Sequence, residues 1–283
     1  MKIIECPRDA MQGLHEFIDT DKKVKYINQL LQVGFDTLDM GSFVSPTAIP
    51  QMRDTAEVIN KIDLSNTNTK LLTIVGNERG AKQASQFDEI SYLGFPFSIS
   101  DTFQKRNINS TIQDSFHRAE EILNCCVIKQ KELVVYISMA FGNPYGDPWD
   151  ADIVLEWAHK LHNELGVDII SLSDTIGVAD PKTIDYLFTS LIPELPKVEF
   201  GAHLHTTPNT WEEKVHAAVK AGCVRYDGAL KGFGGCPMAK DDLTGNMPTE
   251  NLVDYFDRKK IETNLDNDAL AKSLALTSDV FPM

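Results

Sequence analysis

Apolar positions along this chain fall into two rhythms that take turns. Short runs rich in Val, Ile, Leu and Phe recur at residues 2–6, 36–43, 70–76, 89–97, 133–141, 167–173, 198–205 and 224–230, each with the length and content of a strand. Between them, apolar residues spaced three and four apart predict helices near 19–33, 52–62, 77–86, 112–130, 150–166, 181–192, 208–221 and 249–260. Thr20-Asp21, Asp150, Asp180-Pro181 and Thr249-Glu250 offer caps or acidic first turns, and Gly34, Gly166 and Gly222 stand where helices should stop. Eight strand–helix units over residues 2–260 predict an α/β fold, the (β/α)8 TIM barrel, whose usual size is ~250 residues. An open doubly wound sheet is the alternative, but no GxGxxG or P-loop pattern follows any strand. No linker interrupts the alternation. Residues 1–283 therefore read as a single domain, with a tail helix over 264–280 packed outside the barrel.

Charge narrows the range of partners. Lys and Arg number 27 against 41 Asp and Glu, a net charge of −14, which leaves no basic patch for nucleic acid or an anionic membrane surface. Apolar runs such as "LLTIV" (71–75) are too short to span a bilayer, and "MKIIECPRDAMQG" at the start lacks the apolar stretch of a signal peptide. The five cysteines show no CxxC pair and no disulfide framework, so a reducing, cytoplasmic setting is expected.

In such a barrel the chemistry gathers at the carboxyl ends of the strands, which gives polar residues there their meaning. Strand seven, "GAHLHTT", sets His203 and His205 on one face and Ala202 and Leu204 on the other. Two imidazoles so spaced suit metal ligation or a hydrogen-bonded barrel pair, and the strand-end position favours ligation. Strand one runs into "CPRDAMQG", so Arg8 and Asp9 emerge at the same mouth with Gln12 in the loop behind them. Asp9 offers an anionic oxygen, and Arg8 a fixed charge for a substrate carbonyl or carboxylate. Strand two, "TLDMGSF", turns Asp39 inward, where an acid is costly unless paired. Strand six, "IISLSDT", adds Ser171, Ser173 and Asp174, the last equally suited to a turn. Asn246 closes the loop "GFGGCPMAKDDLTGN" (232–246). One carboxylate, two imidazoles and one amide oxygen suit Mg²⁺ or Mn²⁺ with water positions open, more than a closed structural Zn²⁺ site. In the same loop Cys236 follows Gly232, Gly234 and Gly235, between a glycine hinge and Asn246. His117, His159, His162 and His216 fall in helices and read as surface or packing residues.

Five separated motifs, "PRDAMQ", "SFVSPTAIPQM", "SDTIGVADP", "HLH" and "GFGGCPMAKDDLTGNMPTENLV", together resemble the 3-hydroxy-3-methylglutaryl-CoA (HMG-CoA) lyase family, a branch of the metal-dependent barrels that make or break carbon–carbon bonds beside a carbonyl. The likeness runs from residue 3 to about residue 256, and the "GGCP" segment is its most discriminating part. It implies Asp9, His203, His205 and Asn246 as ligands of a divalent metal, Mg²⁺ or Mn²⁺. It implies Arg8 on the substrate carbonyl, Cys236 as acid or base on a mobile loop, and Gln12, Ser42, Ser171 and Asp174 in the substrate pocket. Arg8, Asp9, Asp39, His203 and Cys236 form the implied catalytic set and an acyl-CoA the small-molecule partner; a homodimer is one assembly open to the chain. Two positions depart from the family pattern: Asp39 stands where Glu is usual, and Thr206 where an Asp follows the second histidine. Both bear on the substrate, because a carboxylate displaced by 1 Å can cost much of a rate. The implied activity is retro-Claisen cleavage of HMG-CoA. The alternatives are a condensing or aldolase-type relative and a non-catalytic metal- or acyl-CoA-binding barrel.

Overall fold

The computed structural model describes residues 1–235 and 244–281. Eight strands, β1 (Lys2–Glu5), β2 (Thr37–Ser42), β3 (Lys70–Ile74), β4 (Ile90–Ser98), β5 (Glu132–Ser138), β6 (Ile169–Asp174), β7 (Glu199–Thr206) and β8 (Arg225–Gly228), pair in parallel with their sequence neighbours, and β1 pairs with β8 to close the ring. A two-residue strand, β9 (Gly245–Asn246), lies antiparallel on the end of β7 with Asn246 opposite His205. Around the ring run α1 (Pro7–Gln12), α2 (Thr20–Leu30), α3 (Thr55–Lys61), α4 (Glu78–Ala84), α5 (Asp101–Ile108), α6 (Ile112–Lys129), α7 (Ala151–Lys160), α8 (Pro181–Glu194), α9 (Trp211–Lys220) and α10 (Thr249–Arg258). The tail helix α11 (Asn267–Val280) follows, capped by Asp266, whose side chain accepts from Ala269 N.

This is the expected TIM barrel with two additions. The segment read as the loop after strand one is the helix α1. Proline is tolerated in a first turn, and Pro7 starts the helix two residues after β1 ends. The second is α5, between β4 and α6; Ser100 caps its start by accepting from Phe103 N, and Asn109 ends it in a left-handed conformation at φ 49°. Residues 208–210 stay outside α9, and Leu161–Leu165 extends α7 as a wider turn that Gly166 stops at φ 85°.

Period-two alternation divides the strand residues between two cores. On β5, Leu133, Val135 and Ile137 pack outward beneath the helices, whereas Val134 and Tyr136 pack inward with Leu72, Ile74, Tyr92 and Ile169. That inner apolar cluster is small. Several other buried strand residues are polar, among them Asp39 on β2, Ser171 and Ser173 on β6, Arg225 and Asp227 on β8. At the amino-terminal end of the barrel Arg225 Nη1 donates to Glu199 Oε1 at 3.2 Å, and Lys2 Nζ donates to Glu199 Oε2 at 2.5 Å. At the opposite end the tail returns: Phe281 stacks on Phe233 with centroids 4.5 Å apart and meets Tyr26 edge-on.

Candidate active site

Because α1 stands directly on the end of β1, Arg8, Asp9 and Gln12 leave it as one cluster. Arg8 Nε donates to both carboxylate oxygens of Asp39 at 3.2 and 3.1 Å, and Nη2 adds a close bond to Asp39 Oδ2. Arg8 Nη1 donates to Asp9 Oδ1 at 2.7 Å and to Gln12 Oε1 at 3.0 Å, while Gln12 Nε2 donates to Asp9 Oδ1 at 2.8 Å. All three guanidinium nitrogens are therefore fixed. Burial works against each charge here, and the neighbours decide the outcome. Burial would raise the Asp9 carboxyl, yet Arg8, then His203 and His205, and the bond from Asn246 hold it down to about 2. For Asp39 burial wins over the charge and hydrogen bonds of Arg8, and its pKa rises to about 6. Asp9 is the committed anion of the two.

The histidines approach from β7, and each ring is oriented by its Nδ1. His203 Nδ1 lies 3.0 Å from Asp227 Oδ2, and His205 Nδ1 lies 2.8 Å from the carbonyl of Thr175. A carbonyl only accepts, so His205 carries its proton on Nδ1 and keeps the Nε2 lone pair. That Nε2 is buried and has no hydrogen-bond partner among the described residues. Burial, then the neighbouring His203, lowers the His205 pKa and keeps the ring neutral. Burial also opposes charge on His203, but the hydrogen bond and charge of Asp227, with Asp9, outweigh it and raise its pKa. One donor atom from each of Asp9, His203 and His205 falls within 4.8 Å of the others. A deprotonated carboxylate and two imidazoles held by their far nitrogens, one presenting an orphaned buried lone pair, are the donor chemistry a divalent ion requires. The residues fit the group. In a second grouping, Cys6 with His203 and Asp227, the ligand atoms also lie within 4.8 Å of one another. Burial first, then Asp227 and Asp39, pushes the Cys6 thiol well up, so it stays protonated and offers no thiolate.

Asn246 is delivered by the β7–β9 pairing; its Nδ2 donates to Asp9 Oδ2 at 2.7 Å and to the carbonyl of Phe233 at 2.8 Å. The amide thus steadies Asp9 with its nitrogen. Gly234 lies against the same pair at φ 85°: a β-carbon there would fall 2.6 Å from the carbonyl of Asp9 and 2.8 Å from Asn246 Nδ2. Cys236 lies outside the described residues, one position after Gly235.

These groups open into a cavity of about 580 Å³ whose walls include Arg8, Asp9, Gln12, His203, His205 and Gly235. Asp39 is not among its walls and acts on it through Arg8. Ser42, Ser171 and Asp174, expected in the pocket, also stand outside it. Ser42 Oγ serves the backbone, donating to Ile74 O and accepting from Val44 N. Ser171 sits at the middle of β6 opposite Gly201, below the mouth. Asp174 turns away to Lys214 at 2.6 Å and accepts from Ala179 N. Ser173 and Thr175, from the "SDTIGVADP" motif, line the cavity, and further wall residues had no motif to announce them: Tyr136 and Ser138 inside, Arg106 and Arg118 at the outer end. Period-two counting along "LVVYIS" would have singled out Tyr136 and Ser138 as one inward pair. The four helix-borne histidines are absent from the cavity walls, as expected; His216 Nδ1, for example, meets Tyr255 Oη.

Comparison with known proteins agrees with this geometry. The HMGL-like family profile matches residues 2–276. The chain is 31% identical to the hydroxymethylglutaryl-CoA lyase of Bacillus subtilis over 92% of its length and 85% of that protein's, and 32% identical to the cytoplasmic 3-hydroxy-3-methylglutaryl-CoA lyase of Rattus norvegicus over 94% and 77%. Among solved structures, an HMG-CoA lyase from Acinetobacter baumannii in complex with coenzyme A and 3-methylmalate superimposes with a TM-score of 0.90 at 30% identity, covering 99% of this chain and 90% of the other. Ring, strand-end cluster and sequence point the same way: this chain belongs to the HMGL-like family.

Proposed function

We propose that this protein is a divalent-metal-dependent carbon–carbon lyase that cleaves HMG-CoA to acetyl-CoA and acetoacetate. The observation that carries the reading is the convergence of Arg8, Asp9, His203 and His205 on one cavity at the strand ends. Asp9, His203 and His205 would hold the ion, Mg²⁺ or Mn²⁺, and Asn246, whose nitrogen is bonded to Asp9, would add its amide oxygen. A bound ion supplies Lewis acidity that lowers the pKa of the substrate's tertiary hydroxyl. The rest falls to the chain itself. Of Asp9 and His203 as acceptors of the hydroxyl proton, basicity favours His203: Asp9 is held near 2, whereas Asp227 raises His203. The Nε2 of His203 has one lone pair, so ligation and proton transfer exclude each other in time. His203→Asn, titrated with Mn²⁺ and separately assayed for kcat, tells which it performs.

As the carbon–carbon bond breaks, one pair of electrons moves onto the thioester to give an enolate, and the alkoxide carbon becomes the ketone of acetoacetate. Arg8, already held by Asp39 and Asp9, meets the enolate charge without reorganising. The enolate carbon then takes a proton from Cys236, a thiol of suitable ordinary pKa of ~8.5, and becomes the methyl group of acetyl-CoA.

The outer cavity wall supports an acyl-CoA. In a chain of net charge −14, Arg106 and Arg118 stand there, and among the described residues Asp9 at the inner end is the one carboxylate of the walls. Guanidinium is the side chain best matched to phosphate oxygens. A cytoplasmic location is part of the reading, supported by the cytoplasmic rat relative. Among the described residues no helix is long and apolar enough to cross a membrane. The test is direct: the protein is incubated with HMG-CoA and Mn²⁺, and acetoacetate and acetyl-CoA are measured with and without EDTA. Equal turnover in EDTA ends the metal reading; no turnover under either condition ends the lyase reading.

A further inference from the structure

Lys214 is the least expected residue near the site. In the α9 sequence "WEEKVHAAVK" it looks like a surface lysine, yet it is 1% exposed. Its Nζ donates to Asp174 Oδ2 at 2.6 Å, to the carbonyl of His205 at 2.8 Å and to that of Gly177 at 3.0 Å. An ammonium has three N–H bonds, and here each has an acceptor. Buried ion pairs of this kind add little net stability over apolar side chains of similar volume. The contribution of this one lies in the segments it joins.

Three pieces of backbone meet at that ammonium: the end of β6, the turn that follows it, and the His205 position on β7. Asp174 binds the same turn from within, accepting from Ala179 N with its other oxygen, while its carbonyl accepts from Gly177 N at 3.2 Å. Thr175 lies in that turn, and its carbonyl receives His205 Nδ1. Lys214 thus grips the backbone of His205 and the turn that orients the His205 ring. Were the turn to shift, the ring would lose the acceptor that fixes its tautomer.

We propose that Lys214 is a positioning residue for His205. From behind the barrel it locks the 174–177 turn to the His205 carbonyl, so that the ring keeps its proton on Nδ1 and offers Nε2 to a divalent cation. The inference rests on the metal-site reading above and adds to it a residue that touches neither ion nor substrate.

The test uses the full chain. Nitrogen-15 NMR of the metal-free wild type should find His205 in the Nδ1–H tautomer. Lys214→Met alone leaves Asp174 charged and buried, so it is paired with Lys214→Met/Asp174→Asn, which removes both charges. In a folded variant, Mn²⁺ titration should give a Kd raised ~10–100-fold, the usual cost of losing a group that orients a metal ligand, and His205 should no longer hold one tautomer. A folded double variant with wild-type Mn²⁺ affinity and an intact Nδ1–H tautomer overturns the proposal. So does a wild-type His205 protonated on Nε2. If neither variant folds, Lys214 is a stability residue and the positioning role falls. If the wild type takes up no Mn²⁺, the metal reading fails, while the tautomer comparison between wild type and variant still decides the role of Lys214.

Discussion

Arg8 and Arg225 are both buried in the same barrel, at opposite ends, and they are used differently. Arg8, at the carboxyl end, has every nitrogen engaged by Asp39, Asp9 and Gln12 and lines the cavity. Arg225, at the amino end, is fully buried; its Nη1 meets Glu199, while Nε and Nη2 have no hydrogen-bond partner among the described residues. On the proposed mechanism the first is a charge held rigidly in place for the reaction. The second closes the floor of the barrel, where a cation next to Glu199 and Asp36 ties strand starts together. On the proposed mechanism rate belongs to one end of this molecule and stability to the other, as the separation of faces in such barrels leads one to expect.

That division can be broken by substitution. Arg8→Met should lower kcat at least ~10²-fold with little change in KM, the loss typical when a preorganised donor to a developing anion is removed. A change confined to KM would make Arg8 a binding residue and erase the contrast with Arg225. Removing both arginines of the outer wall, Arg106→Ala with Arg118→Ala, should act on binding alone: KM for the acyl-CoA rises roughly tenfold, about 1.4 kcal/mol, with kcat near wild type. The same variant should show no KM change for a pantetheine thioester, which lacks the nucleotide phosphates. Arg225→Met should do the reverse of Arg8→Met, costing roughly 1–3 kcal/mol of stability by thermal or urea unfolding and leaving kcat of the folded protein within about twofold. An Arg225 variant with normal stability and lost turnover would place chemistry at the floor.

Glu5 sharpens the picture with the smallest effect. It is fully buried, accepts from Leu230 N and pairs with Thr249 Oγ1, and burial, only partly offset by these bonds, raises its pKa to about 8. In the unfolded chain the same carboxyl loses its proton at the ordinary value of 4.5. Between these values the folded state holds a proton that the unfolded state has released. Stability from this group is full below about 4.5 and declines as pH rises to about 8, at no more than ~1.4 kcal/mol per pH unit. Glu5→Gln keeps an acceptor for Leu230 N and a partner for Thr249 without the ionisation. It should flatten the unfolding midpoint over that window and leave kcat unchanged. An unaltered pH profile would show that Glu5 is charged in the folded protein.

The periodic parts of the fold were legible from sequence because burial on a strand or helix face repeats at a fixed interval. All eight ring strands overlap their predicted runs. The two missed helices obey no such pattern. α1 has six residues, several turned to the cavity, and α5 buries only Phe103 and Gln104, so neither shows an apolar stripe. Strand-end logic found Arg8, Asp9, His203 and His205 because a polar side chain on a barrel strand has few other places to go. Strand-end logic also drew in Ser171 and Asp174, and the family resemblance Ser42; Ser171 sits too far down β6, while Asp174 is taken by Lys214 and Ser42 by the backbone, contacts that sequence does not show. Lys214 was invisible for the opposite reason. A lysine on an amphipathic helix is nearly always solvated, and only the acceptors around it reveal that this one is not.

Gly234 carries a consequence for reading natural variation. Its backbone fits against Asp9 and Asn246 so closely that any side chain would collide with the carbonyl of one or the amide of the other. The barrel has no stake in that contact, which joins only the mouth and the loop. Drift at this codon would therefore leave a protein that expresses, folds and looks normal, with its reactive centre pried apart. If the contact serves the chemistry, relatives that keep the activity should keep glycine at this position, and those that have kept only the shape should be free to lose it.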